Sequence, residues 1–460
     1  MSNTQAALAT LDANLGAALA RLFDLLKIKS VSTDPAFKAD CVKAAQWLSD
    51  DLNGIGFKAS VRPTAGHPMV VAHAKAAKDN APHVLFYGHY DVQPVDPLNL
   101  WETDPFAPRL VEVNGAKQIV GRGASDDKGQ LMTFVEACRA MMAHGGLPCH
   151  VTILFEGEEE CGSSSLPKFL RDNAQELKAD IALVCDTNMW DAKTPAITAM
   201  LRGLVFEEVI VKAATRDLHS GLFGGAAANP IRVLSRALGK LHDDEGRVTL
   251  PGFYDGAAEL PDDIAAQWQA LPFDGAKFLS GVGLSVPAGE KGRSVLEQIW
   301  ARPTCEMNGI IGGYTGEGAK TVLPAQASAK VSFRLVSQQD PKKVVESFRS
   351  HMQANVPADC KVEFISHGAS PAITLPFESP LLTKARAALK AQWGEDTVIV
   401  GSGGSIPIIG ELKRELNLDS LMIGFALEND KIHSPNEKYE VSSFHGGMKS
   451  WVRVLEALGE

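Results

Sequence analysis

The sequence predicts an α/β catalytic domain, a mixed and largely parallel sheet with helices on both faces, interrupted by an inserted α+β domain. Three observations predict it. Between about 37 and 200, and again from about 376, short apolar runs alternate with segments of helical period, the pattern of a sheet wound with helices. Between these stretches the style changes to strands that alternate as if one face were covered. The chain also has 460 residues, more than one ordinary core supports. The expected division is 1–203 for the first part of the catalytic domain, 204–375 for the insert and 376–460 for the second part.

The elements follow in order. The opening "MSNTQAALATLDANLGAALARLFDLL" predicts one amphipathic surface helix. It lacks the basic start and compact apolar stretch of a secretion signal. "DCVKAAQWLSDDLNGIGF" has a helical period ended by Gly54 and Gly56. "HVLFYGH" is a short buried strand, "KGQLMTFVEACRAMMAHGG" a long helix with a glycine stop, "HVTILFEG" a strand, "LPKFLRDN" a helix and "DIALVCD" a strand. In the insert, "LVFEEVIVKAA" and "ASAKVSFRLVS" alternate as strands, whereas "NPIRVLSRALGKLHD" and "PKKVVESFRSHMQANV" carry helical period. Residues 244–300, rich in Gly, Pro and Asp, predict an irregular segment. "SPLLTKARAALKAQWG" is helical and "SLMIGFAL" a strand.

Composition narrows the function. With 45% hydrophobic and 22% charged residues, the chain reads as a soluble globular protein. It has no run of eighteen apolar residues, so no membrane span is expected. A net charge of −10 argues against a nucleic-acid partner. The seven cysteines are scattered without a CxxC pair, so a reduced, cytoplasmic protein is expected.

The chemistry concentrates where predicted strands end, which is where open α/β sheets bind ligands. "LFYGHYDVQP" supplies His89 and Asp91, "GRGASDDKG" Asp126 and Asp127, "FEGEEECGS" Glu158, Glu159 and Glu160, "ALVCDTNMW" Asp186, and "NDKIHSPNEK" His433. Each alone has a bland reading: a satisfied histidine, a helix N-cap, a solvated turn. Three adjacent glutamates behind a buried strand, however, need a positive partner, and no Lys or Arg follows until Lys168. Two histidines with several carboxylates form a donor set for divalent cations. A pair of such ions, roughly 3.5–4 Å apart and sharing a carboxylate, would supply that charge. A nucleotide site is excluded: "GRGASDDKG" lacks the Gly-Lys-Ser/Thr of a phosphate loop, and its two aspartates would repel phosphate.

Taken in order, "HYD", "GRGASDDKG", "GEEECGSSS", "CD", "DLHSGLFGG" and "IHSPNEK" resemble the co-catalytic, di-zinc type metallopeptidase family. That family includes carnosinases, bacterial dipeptidases, acetylornithine deacetylase and succinyl-diaminopimelate desuccinylase. "DLHSGLFGG" and the long insert most resemble the carnosinase-type dipeptidases. The resemblance covers the chain from about residue 20 to its end. It implies that His89 and Asp186 hold one metal, Glu160 and His433 the other, and that Asp126 bridges them. Asp91 would orient His89, and Glu159 would be the general base. Glu158 has no carried-over role, and solvated surface is its default. A cis peptide between Asp126 and Asp127 is also implied.

In the insert, which the resemblance makes a lid and dimerisation domain, His219 would donate to the oxyanion in the partner subunit's site of a homodimer. Arg334 would clamp a substrate carboxylate. Ser337 stands where carnosinases tend to have proline. Gly404 and Ser405 of "GSGGSIP" would present N–H groups to the same carboxylate, and Thr321 would lie nearby. Read alone, these are a turn histidine, a strand ion pair and a flexible loop. The implied cofactor is two divalent ions per chain: Zn(II) first, Mn(II) or Co(II) as alternatives. The expected activity is hydrolysis of dipeptides. The alternative is N-acyl-amino-acid deacylation or a carbamoylase reaction on the same scaffold. A non-catalytic binding relative is disfavoured because all five ligand positions and the base position are filled. A closed structural metal site would need no unligated Glu beside a ligand.

Overall fold

A computed structural model describes residues 2–404 and 406–460. Two compact units make up the chain. The first comprises Met1–Ala199, Leu375–Val400 and Pro407–Glu460; the second comprises Met200–Thr374 and Gly401–Ile406.

The first unit is built on a mixed sheet. Four parallel strands form its middle, in the order His150–Glu156, His83–His89, Ile181–Val184 and Ser420–Met422. Antiparallel strands Met69–Ala74 and Lys58–Arg62 extend one side, and Ala196–Leu201 pairs antiparallel on the other. The middle strands read as nearly continuous apolar runs because they are buried beyond their first residues. Phe86 of the strand stacks on Phe134 of helix Lys128–Met142 with centroids 3.8 Å apart. Trp451 of helix Val441–Gly459 meets Phe86 edge-on at 5.5 Å, and its indole N–H donates to Thr133 Oγ1 at 3.0 Å. This aromatic core clamps two helices to the strand that ends at His89.

The second unit is a four-stranded antiparallel sheet in the order Thr304–Gly312, Gln326–Leu335, Gly203–Lys212, Lys361–Ser370. Burial alternates strictly along Gly203–Lys212. Val205, Val209, Val211, Val331 and Phe333 turn inward, onto a core shared with Leu234 of helix Pro230–Leu238 and Phe348 of helix Pro341–Ala354.

Three local expectations are corrected. The opening segment forms two helices, Asn3–Ala13 and Leu15–Leu26, meeting at 68°, because Asn14 leaves helical geometry at ψ 16°. Among the described residues no single helix is long and apolar enough to cross a membrane. The segment read as irregular holds helices Asp262–Ala270, Gly275–Ser280 and Val295–Trp300. The last two are marked by caps (the Asp274 side chain, and a Ser294–Glu297 capping box) rather than by a period long enough to read. The strand predicted over "SLMIGFAL" stops at Met422.

Candidate active site

Each of the four parallel strands leads to an acid or imidazole at or beyond its carboxyl end. His89 closes strand His83–His89, Glu159 and Glu160 follow strand His150–Glu156 in a 3₁₀ turn, and Asp186 follows strand Ile181–Val184. His433 lies in the turn beyond the fourth, with φ +60°, a left-handed conformation uncommon for a side-chain-bearing residue. Asp126 stands immediately before helix Lys128–Met142, and its bond to Asp127 is cis.

These side chains converge on two groups that share Asp126. His89, Asp126 and Asp186 form one, and Asp126, Glu160 and His433 the other; within each, the donor atoms lie within 4.8 Å of one another. Asp126 Oδ1 lies 3.0 Å from His89 Nε2, and its Oδ2 lies 2.9 Å from His433 Nε2. Asp186 Oδ2 is 3.8 Å from His89 Nε2, and Glu160 Oε2 is 3.3 Å from His433 Nε2.

The field of this cluster favours positive charge. Hydrogen bonds to Asp126 and Glu160 hold the His433 imidazole up at about 10, against partial burial. Complete burial works against a charged His89, but hydrogen bonds to Asp126 and Asp91 overcome it and raise its pKa well above the ordinary value. For Asp126, burial opposes ionisation, and the bonds from His433 and His89 outweigh it to hold the carboxyl low. A mixed nitrogen and carboxylate-oxygen set, with one carboxylate turning an oxygen to each group, suits a pair of zinc-, manganese- or cobalt-like ions.

Each glutamate of the triplet has a different environment. Burial raises the Glu159 carboxyl; His89 pulls it down, while Glu160 and Asp126 add to the rise. Glu160 lies at the second group, where Gln93 Nε2 also donates to its Oε2 at 2.6 Å. Glu158 corrects the expectation of a solvated residue, being only 2% exposed. Its Oε1 accepts from His67 N at 2.8 Å and its Oε2 from Ser165 N at 2.9 Å. Backbone N–H groups, not a cation, satisfy this carboxylate. Glycine is required at Gly66, where a Cβ would lie 1.4 Å from Glu158 Oε1.

Asp91 sits behind the cluster. Its backbone carbonyl is 3.1 Å from His89 Nδ1 and its Oδ1 3.5 Å from the same nitrogen, while its Oδ2 accepts from Glu160 N at 3.0 Å. Asp127 Oδ2 accepts from His89 N at 3.1 Å. Glu437, fully buried, accepts from the backbone of the Asp126 turn. Motif reading passed over Gln93 and Glu437, although each stands within a motif-bearing stretch, "HYDVQP" and "IHSPNEK".

The remaining predicted residues belong to the second unit. His219 is exposed, pairs across a two-stranded ribbon with Val322, and lies next to Thr321, whose carbonyl accepts from Ser220 N at 3.0 Å. Its Nδ1 accepts from Gly221 N at 2.9 Å, so the neutral ring carries its proton on Nε2. Arg334 lies opposite Leu204 in the sheet. Nearby Arg202, another residue missed in the sequence, donates through Nε to Gly403 O at 3.0 Å. Burial lowers Arg202 to about 10, with the like charge of Arg334 adding to the effect. Among the described residues neither arginine has a carboxylate within salt-bridge reach. The Gly404 N–H points to Ser402 Oγ at 3.3 Å, so one of the two N–H groups expected to face substrate has a partner within its own loop. Ser405 lies outside the described residues.

A family model for peptidase family M20/M25/M40 matches residues 85–457, and the chain belongs to that family. It is a metallopeptidase, with the family's catalytic α/β fold and inserted domain. The Cys-Gly metallodipeptidase DUG1 of Saccharomyces cerevisiae is 31% identical over 460 residues, covering 96% of this chain and 95% of that one. A beta-Ala-His dipeptidase of Rattus norvegicus is 30% identical over 390 residues, covering 83% and 78%. Among solved structures, the M20 family metallo-carboxypeptidase Sso-CP2 from Sulfolobus solfataricus superposes with a TM-score of 0.77 at 30% identity, covering 96% of this chain and 99% of that one.

Proposed function

We propose that this chain is a two-metal dipeptidase that hydrolyses the amide bond of unblocked dipeptides. The observation that carries this reading is the Asp126 carboxylate, which turns one oxygen to each of two histidine–carboxylate groups. His89 and Asp186 would hold one ion, Glu160 and His433 the other, and Asp126 both. Bound there, the ions would act as Lewis acids on the scissile carbonyl and lower the pKa of the attacking water. Zinc is our first choice, with manganese or cobalt as alternatives.

The chain's own groups do the rest. Glu159 takes a proton from the attacking water on a carboxylate oxygen and passes it to the leaving amine nitrogen. Its raised pKa brings it closer to working pH, which suits a group that must both accept and donate. Asp91 holds the His89 ring through Nδ1 and the Glu160 backbone through N–H. His219 donates from Nε2 to the oxyanion in the partner subunit's site of a homodimer, and the hydrogen bond that Nδ1 accepts from Gly221 N, which leaves Nε2 as the donor of a neutral ring, supports that role. We assign Arg334 to the substrate's terminal carboxylate, with Gly404, Ser405 and Thr321 as further candidates for binding it. We assign the second unit to substrate covering and dimerisation, and the protein to the cytoplasm, a reading supported by seven free cysteines.

The test is amine release from a panel of unblocked dipeptides, longer peptides and N-acetylated amino acids. The protein is stripped of metal and reloaded separately with zinc, manganese or cobalt. Release from dipeptides, lost on chelation and restored by one metal, is expected. Release only from N-acetylated substrates would move the protein to the deacylases, and release only from longer peptides to the carboxypeptidases.

A further inference from the structure

We propose that Glu437 is the positioning residue of the candidate metal centre, presetting the turn that carries Asp126 before any cation arrives. The proposal rests on the two-metal reading of the site. Glu437 is 0% exposed, and a buried carboxylate is costly unless its oxygens are fully satisfied. Here they are. Oε1 accepts from Ser125 N at 2.9 Å and from Asp126 N at 3.0 Å. Oε2 accepts from Gly123 N at 3.0 Å and from the Arg122 guanidinium at 2.8 Å. Four donors on two oxygens over-determine the plane of the carboxylate, and three of them are backbone groups of one turn. That turn has little other freedom: Gly123 sits at φ +80°, and a Cβ there would approach Val92 Cγ1 to 2.7 Å.

The same C-terminal segment grips the turn a second time. Ser125 Oγ donates to Asp430 Oδ2 at 2.9 Å, and Asp430 Oδ1 is paired with Lys438 at 2.6 Å. His433, the imidazole facing Asp126 Oδ2, lies between these two grips in sequence. The separation of Asp126 and His433 is therefore set by bonds within the protein. Glu437 touches neither substrate nor ion; it acts by aiming Asp126, as outer hydrogen bonds do for metal ligands generally. A Gln at this position would turn an NH₂ group towards two donors, and an Asp would be too short to reach the turn.

The experiment uses the full-length chain as wild type, Glu437→Gln and Glu437→Asp. Metal-stripped proteins are titrated with Zn(II) and Co(II), the visible spectrum of the cobalt forms is recorded, and kcat and KM are measured for a cleaved dipeptide. Both variants should bind metal about 10–100-fold more weakly, show altered cobalt spectra, and lose kcat more than they raise KM. Wild-type affinity and an unchanged cobalt spectrum in either variant would overturn the proposal. Hydrogen exchange in metal-free wild type gives an arm independent of variant folding. The amides of Gly123, Ser125 and Asp126 should be protected without metal, and exchange at unprotected rates would show that the turn is not preset. If the wild type takes up no metal although those amides are protected, the two-metal reading fails, and with it the positioning role of Glu437.

Discussion

The Asp91 carboxylate accepts the backbone N–H of Glu160 at 3.0 Å through Oδ2, while its own backbone carbonyl faces His89 Nδ1 at 3.1 Å. One residue thus holds a candidate ligand from each of the two groups, one by its side chain and one by its main chain. Asp91→Ala should lower metal affinity about 10–100-fold, because the Glu160 N–H loses its acceptor and a negative charge leaves the cluster, while the carbonyl that faces His89 remains. Titration of the metal-stripped variant with zinc checks this. Asp91→Asn keeps one acceptor oxygen and should lose less.

Glu159 lies in the same 3₁₀ turn as Glu160 but belongs to neither ligand group. Glu159→Gln should reduce kcat by about 10²–10⁴-fold, the usual contribution of a positioned acid–base group, with metal content per chain unchanged. Elemental analysis alongside steady-state kinetics separates the two. Loss of metal together with activity would make Glu159 a ligand and reverse the roles of the adjacent glutamates.

His219 sits in the second unit, exposed, with its donor nitrogen free of the turn bond made by Nδ1. If it serves the partner's site, mixing inactive His219→Ala with inactive Glu159→Gln chains should restore activity. A heterodimer then contains one site with both residues intact, so random exchange predicts recovery of about a quarter of the wild-type rate per chain. No recovery after demonstrated subunit exchange would place His219 outside the partner's chemistry.

Glu158 is a stability residue on this structure. Its removal leaves the N–H groups of His67 and Ser165 without their acceptor in a buried place. Glu158→Ala should destabilise the fold by about 1–3 kcal/mol for each orphaned group, read as a lower urea midpoint in the metal-stripped protein. Glu158→Gln retains one acceptor and should cost less.

Arg334 and Arg202 bring two guanidinium groups near each other without a carboxylate partner among the described residues. Arg334→Lys should raise KM for dipeptides about tenfold or more while changing kcat little, because a point charge replaces a planar two-pronged donor. Substrates amidated at the carboxyl terminus should be insensitive to the change.

Much of this was legible in the sequence, and the reason differs from element to element. The run "VTILF" declares a buried strand because burial on both faces favours a nearly continuous apolar run. The alternation in Gly203–Lys212 declares a sheet with one covered face. The side-chain types of His89, Asp126, Glu160, Asp186 and His433, all able to bind a cation, are chemical identities visible in any conformation. What only the tertiary structure decided is how neighbours of the same type divide their work. Glu158, Glu159 and Glu160 are identical side chains in consecutive positions, yet they meet two backbone N–H groups, a half-buried place beside His89 and a histidine–carboxylate group respectively. Glu437 carries no local signal, and the fold sets it against a turn more than three hundred residues earlier. A carboxylate's role depends on which donors surround it and how far it is taken out of water. Those donors come from distant parts of the chain, so the local sequence carries the type of chemistry and the packed structure assigns it.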